Sequence, residues 1–168
     1  MRKNISARVA LLGVLAALTV ALSFLESALP PLPLLPPGFK IGIANIAVMY
    51  AVFCLDLKSA LMLSVVKSGF MLFVNSGYAF VLSLCGSLAS VVAMYSVLKI
   101  FKEKISFITV SVVGAMFHNA TQLLAVCVIT KSWAAVYYSP VLVFMAVVCG
   151  ALTAFLIRAA LPLIKKIN

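Results

Sequence analysis

The sequence predicts an all-α integral membrane protein, a six-transmembrane-helix bundle in a single domain of residues 1–168, with both termini cytoplasmic. Three observations predict it. Hydrophobic residues fill 65% of the chain and charged residues only 10%, against roughly 45–50% and 25% in soluble domains. Mean hydropathy is +1.26, so polar residues are too few to cover a water-facing surface. That excludes a soluble enzyme, a disordered tail and a nucleic-acid-binding module. Finally, uncharged runs alternate with basic residues in a pattern that counts the crossings.

A bilayer core about 30 Å thick takes about 20 helical residues. Uncharged runs broken at turn signals place spans at residues 9–25, 41–55, 59–74, 78–98, 105–130 and 134–162. The second is short and either recruits residues 38–40 or thins the bilayer locally. The third is interrupted only by Lys67. Residues 68–98 are too long for one crossing, and Asn75-Ser76-Gly77 supplies turn chemistry inside them. Trp133, Tyr137 and Tyr138, ahead of Pro140, make an interfacial aromatic anchor for the sixth.

Six spans put both termini on one side, together with the loops at 56–58 and 99–104. Ten of the thirteen basic residues fall there: Arg2, Lys3, Arg8, Lys58, Lys99, Lys102, Lys104, Arg158, Lys165 and Lys166. Only Lys40 and Lys131 fall opposite, so the positive-inside rule makes the first side cytoplasmic. The first span follows a basic start, as a signal peptide would, but its uncharged run exceeds the usual 7–15 residues of a signal core and the Pro-rich stretch after it suits cleavage poorly. A retained helix is expected.

Cys54, Cys85, Cys127 and Cys149 sit singly in apolar runs and read as small hydrophobes. With one histidine and one aspartate in the chain, neither a structural zinc nor a two-metal centre finds its ligands. No metal and no cofactor is expected.

Lys67 is the most informative residue. An ammonium at mid-span costs about 2.5–3.5 kcal/mol on insertion scales and marks a functional site by default. Its alternative is a purely structural pairing with Glu26 or with carbonyls of a broken helix. His118, Asn119 and Gln122 follow at spacings that share a helix face. Interhelical hydrogen bonding explains such a stripe equally well. Asn45, Ser68, Asn75 and Tyr78 lie at comparable or shallower outer depths, and convergence of these groups with Lys67 favours a small-molecule pocket. Five of the seven prolines fall between Pro30 and Pro37 in the outer loop, residues 27–40. This stiff apolar strap reads either as a rigid connector or as a lid. Gly13, Ala17 and Ala21 step by four along the first span, a face that lets a second helix approach closely, within the bundle or on a partner. No repeat relates residues 1–77 to 78–168, which withholds support from an inverted-repeat carrier.

Four segments carry a family resemblance. They are Pro36-Pro37-Gly38-Phe39-Lys40-Ile41-Gly42-Ile43-Ala44-Asn45-Ile46, Lys67-Ser68-Gly69, Ser83-Leu84-Cys85-Gly86-Ser87-Leu88 and Gly114-Ala115-Met116-Phe117-His118-Asn119-Ala120-Thr121-Gln122-Leu123. Together they resemble the Gx transporter family, often labelled heptaprenyl diphosphate synthase component I. That family looks like a branch of the substrate-binding S components of energy-coupling-factor transporters. The resemblance implies an S-component-like bundle in the bacterial cytoplasmic membrane that captures a vitamin-like compound from outside under its first loop. It also implies a transmembrane coupling subunit, docked on the Ala17-x-x-x-Ala21 face, and two cytoplasmic ATPases as partners. Relatives often carry Arg where this chain has Lys67, which keeps the charge and loses the planar fork.

The synthase label conflicts with the chemistry. Prenyl transfer needs aspartate-rich motifs for Mg²⁺ and diphosphate, and Asp56 is the only aspartate. No Gly-rich phosphate loop is present, so ATP use belongs to a partner. The leading expectation is therefore a substrate-capture subunit, not an enzyme, with Lys67, Asn45, His118, Asn119 and Gln122 lining the pocket. Two alternatives stand beside it: a noncatalytic membrane subunit of isoprenoid or quinone metabolism, and a proton-coupled carrier acting alone through Glu26 or His118.

Overall fold

The computed structural model describes residues 5–28, 42–101 and 105–165. They form α1 (Ile5–Ala28), α2 (Asn45–Cys54), α3 (Leu57–Val74), α4 (Gly77–Phe101), α5 (Phe107–Thr130) and α6 (Ser139–Lys165), with a 3-10 turn at Trp133–Tyr138 before α6. No strand occurs among the described residues. Five of these helices are long and apolar enough to cross a bilayer, and α2 is not. The chain is thus a multi-pass helical membrane protein. The proline-rich loop, beyond Ala28, lies outside the described residues.

Short connections make successive helices antiparallel neighbours. α4 packs on α3 and α5, α5 on α6, and α1 on α3. Large apolar side chains cover the outside, among them Val14, Phe73, Leu124, Val128 and Phe155, as a lipid-facing surface requires. The ends are capped from within the sequence. The Asp56 carboxylate accepts the Ser59 N–H at 2.9 Å at the start of α3, and the Ser106 hydroxyl accepts that of Ile108 at 3.2 Å at the start of α5. α5 stops at Lys131, which adopts the left-handed conformation, φ 51°, while the Ser132 N–H returns to the Cys127 carbonyl at 3.2 Å.

α2 differs most from expectation. A span at 41–55 was predicted, but the helix begins only at Asn45. Gly42 takes φ +89°, and the turn it makes places its carbonyl 2.9 Å from the Asn45 N–H. A left-handed residue of this kind stops a helix from extending backwards, and glycine adopts it without steric cost. Ten residues span about 15 Å, half of a bilayer core. Ala47 to Val52 are buried without interruption, so this helix is apolar all round and meets protein on every side. It packs against α1, α3, α4 and α6, and its Phe53 ring meets Phe107 of α5 edge-on at 4.7 Å. The main apolar core gathers around it from all six helices: Leu15, Leu63, Val91, Met94, Val110 and Ile157 close on Ala47–Val52.

The sixth predicted span also starts differently. Residues 134–138 are a 3-10 turn rather than the first turn of α6, because Ser132 caps Ala134 at 3.2 Å and redirects the chain. Pro140 then stands in the first turn of α6, where its missing N–H costs nothing.

Candidate functional site

Since α2 begins at the level of Lys67, half-way along α3, it fills only the half of the bundle nearest Asp56. Among the described residues, the sequence places polar side chains at helical spacing on the inward faces of the long helices. Thr19, Ser23 and Glu26 project from α1, Ser64, Lys67 and Ser68 from α3, Ser83, Ser87 and Ser90 from α4, and Ser111, His118 and Gln122 from α5; all are buried. Several hydroxyls are satisfied within their own helix: Thr19 donates to the Leu15 carbonyl at 2.7 Å, Ser64 to Ala60 at 3.0 Å and Ser68 to Ser64 at 2.8 Å.

Lys67 is the centre. It is 5% exposed, and its ammonium donates to Asn45 Oδ1 at 2.7 Å and reaches the Ser87 hydroxyl at 3.5 Å. Asn45 thereby ties the first turn of α2 to the middle of α3. Glu26, also buried, accepts the Gly42 N–H, which anchors the turn ahead of α2 to the end of α1. Lys67 and Glu26 line one small cavity of about 20 Å³ together with Ser23, Ser83, His118 and Gln122. A second, of about 30 Å³, lies between α2, α4, α5 and α6 and is lined by Asn45, Ser90, Ser111, His118 and Asn119 among others. Each has room for about one water.

Three buried polar atoms around these cavities have no hydrogen-bond partner among the described residues: Ser23 Oγ, His118 Nδ1 and Gln122 Oε1. Leaving such an atom unsatisfied costs about 1–3 kcal/mol. All three residues line the cavity that Lys67 and Glu26 share. Gly86 lets this happen, for a Cβ there would meet His118 Nδ1 and Gln122 Cγ at 2.9 Å. Without a side chain at 86, α4 and α5 approach closely enough to press both polar groups into the interior.

The residues singled out in the sequence separate into three groups. Lys67, Asn45, His118 and Gln122 come together as expected, with Ser68 behind them, 3.3 Å from the Ser83 hydroxyl. Asn119 is turned aside: its amide donates to the Leu142 carbonyl of α6 at 3.0 Å, so it lines the second cavity and not the first. Residues 118 and 119 are successive on a helix and cannot face the same way. Asn75 and Tyr78 line neither cavity. Asn75 caps α3 at the exposed α3–α4 turn and donates to Ser27 Oγ at 3.3 Å.

Ser23, Gly42, Ser83 and Ser87 also lie around Lys67 and were absent from the expected set, while Glu26, expected only as a pairing partner of Lys67 or a titrating group, lines the same cavity. Their signal was present. Thr19, Ser23 and Glu26 step by four and three, as do Ser83, Ser87 and Ser90, and polar residues at that period in an apolar helix mark an inward face. Gly13, Ala17 and Ala21 are exposed along the outer face of α1. Ala17 and Ala21 line a shallow apolar groove of about 640 Å³ between α1 and α3, with Phe24, Val66 and Phe70.

No curated protein and no solved structure matches the chain. One family model does, that described as heptaprenyl diphosphate synthase component I, over residues 15–160, a stretch that contains every buried polar residue named above. The chain, a multi-pass helical membrane protein, therefore belongs to the heptaprenyl diphosphate synthase component I family.

Proposed function

We propose that the protein is the substrate-capture component of an energy-coupling-factor-type importer in a bacterial cytoplasmic membrane, and that it is not an enzyme. In this reading the chain crosses the membrane six times, both termini face the cytoplasm, and a small vitamin-like or isoprenoid- or quinone-related compound enters from outside to reach Lys67. The observation that supports the reading is the set of three buried atoms without a partner among the described residues, Ser23 Oγ, His118 Nδ1 and Gln122 Oε1, around the cavity that Lys67 and Glu26 share. Interhelical glue alone would have paired them, because an unmade hydrogen bond in a low-dielectric interior is costly. A ligand with its own polar groups supplies the missing partners.

The rest of the importer is supplied in trans. The chain has no phosphate loop, so two cytoplasmic ATPases power the cycle. The exposed Gly13, Ala17 and Ala21 face of α1 docks a transmembrane coupling subunit through close backbone approach.

Affinity purification in mild detergent followed by native mass spectrometry tests this. The expected result is recovery of a coupling subunit and ATPases, with a small metabolite retained in the absence of ATP. Recovery of the chain alone, carrying only bilayer phospholipid, would contradict it.

A further inference from the structure

One of the polar cavities shares lining residues with an apolar groove formed by α5 and α6. This groove holds about 270 Å³ and is walled by Met116, Phe117, Leu123 and Val143, close to the lower end of the roughly 300–1,000 Å³ range of small-molecule sites. Asn119 and Ala146 line both the groove and the 30 Å³ cavity. His118 and Gly42 line both that cavity and the one at Lys67. Neighbouring spaces thus share walls from the α5–α6 groove to the cavity at the buried ammonium. The hydrogen bond from Asn119 to the Leu142 carbonyl stands at the threshold, since both residues wall the groove. The larger groove between α1 and α3 shares no lining residue with either polar cavity.

We propose that this path is one binding site for a single-chain amphiphile: a small carboxylate head among His118, Gln122 and Lys67, and an apolar tail in the α5–α6 groove. The proposal rests on the capture reading and narrows its substrate. A wholly polar solute would leave the groove unfilled, and a wholly apolar chain would leave Ser23 Oγ, His118 Nδ1 and Gln122 Oε1 unpaired. At about 20 and 30 Å³ the inner cavities each take one water-sized group, so the head has the size of a carboxylate and not of a diphosphate. Lys67 supplies the counter-charge. Glu26 faces the same cavity and repels a second negative charge there.

The test uses the full chain in detergent micelles, with decanoic acid carrying a diazirine at its tail end as the probe, and reads crosslinked peptides by mass spectrometry. Labelling is expected to concentrate on residues 116–123 and 139–146. Unlabelled decanoate should suppress it and decyl diphosphate should not. Val143→Trp, at a half-exposed position in the groove, should cut groove labelling about tenfold, and Lys67→Met should weaken competition by decanoate about tenfold, the scale of a charge-assisted hydrogen bond, while competition by decanol is unchanged. Ala120→Phe, which fills the same groove from an exposed position, serves if Val143→Trp does not fold. Labelling spread evenly over the outward helix faces, or unaffected by the groove-filling variants, overturns the proposal. A purely polar metabolite retained in a Lys67-dependent way beside an unlabelled groove overturns it and leaves the capture reading standing. Absence of any Lys67-dependent retention overturns both.

Discussion

The body of α2 and the region around its first turn and Lys67 are walled by the same long helices, yet they solve opposite problems. Around α2 the sequence supplies Ala, Val, Met and Leu, and the space closes into a dry core in which Leu63, Val91 and Val110 are almost fully buried. Around Lys67 it supplies Ser, Glu, His and Gln, with a small cavity there and three polar atoms unpaired among the described residues, while a second small cavity runs along α2 beside Met49. One region holds the helices together. The other gathers polar groups, and Asn45, first residue of α2, marks the border by accepting from Lys67. The lesson is that a helix of half the membrane depth serves both purposes, since its apolar body fills the core and its first residue meets the buried ammonium.

Substitutions separate these roles by size. The largest effect belongs to the dry core: Leu63→Ala, at a position 2% exposed, should lower unfolding free energy by about 2–5 kcal/mol, read from denaturation in micelles. Gly150→Ala comes next. Its Cβ would lie 2.7 Å from the Val112 backbone, which cannot yield without moving α5 from α6, and overpacking of this kind costs about 1–3 kcal/mol. An unchanged melting midpoint for either variant would break the distinction.

Gly86→Ala should act at the cavity lined by His118 and Gln122, and differently. The added methyl meets side-chain atoms of His118 and Gln122, which move more readily than backbone. The expected outcome is a stability loss smaller than that of Gly150→Ala, accompanied by loss of the retained small molecule in native mass spectrometry. Retention equal to that of the unaltered chain would remove Gly86 from the site.

The smallest effect lies at the end near Asp56. Hydrogen bonds from Ser59, and after them Arg8, lower the Asp56 carboxyl from 3.8 to about 2. A carboxyl with a lowered folded-state value stabilises above its unfolded value and loses that contribution as pH falls. The contribution is therefore complete above pH about 4 and disappears as pH drops toward about 2. The Arg8 and Asp56 side chains are 45% and 42% exposed, so screening by water keeps the effect small. Asp56→Ala should cost about 1 kcal/mol through the lost cap, whereas Asp56→Asn should keep the cap and flatten the acid dependence. A cost for Asp56→Asn equal to that for Asp56→Ala would assign the stabilisation to the charge.

Much of this division was legible before any coordinates. Composition and uncharged runs revealed the five long helices, and the Asn75-Ser76-Gly77 turn split α3 from α4 where expected. Lys67 was identified as central because a buried charge has few explanations, and Asn45, His118 and Gln122 do converge on it. The length of α2 was not legible, because hydropathy is blind to the left-handed turn at Gly42 that delays its start. Asn119 differs from His118 beside it: the helix turns it toward the Leu142 carbonyl, where it lines the second cavity and not the one at Lys67. The serine stripes of α1 and α4 were readable but outweighed, since a lone serine in a membrane helix usually returns its hydroxyl to its own backbone. Only packing decides which of them line a space.

The separation of the two regions is tested most directly by taking Lys67→Met and Leu63→Ala side by side through thermal unfolding and native mass spectrometry. The account predicts that Lys67→Met keeps its melting midpoint close to that of the unaltered chain and loses the retained small molecule, while Leu63→Ala melts earlier and keeps it. If both variants lost stability and ligand in proportion, Lys67 would be part of the scaffold rather than of a binding site.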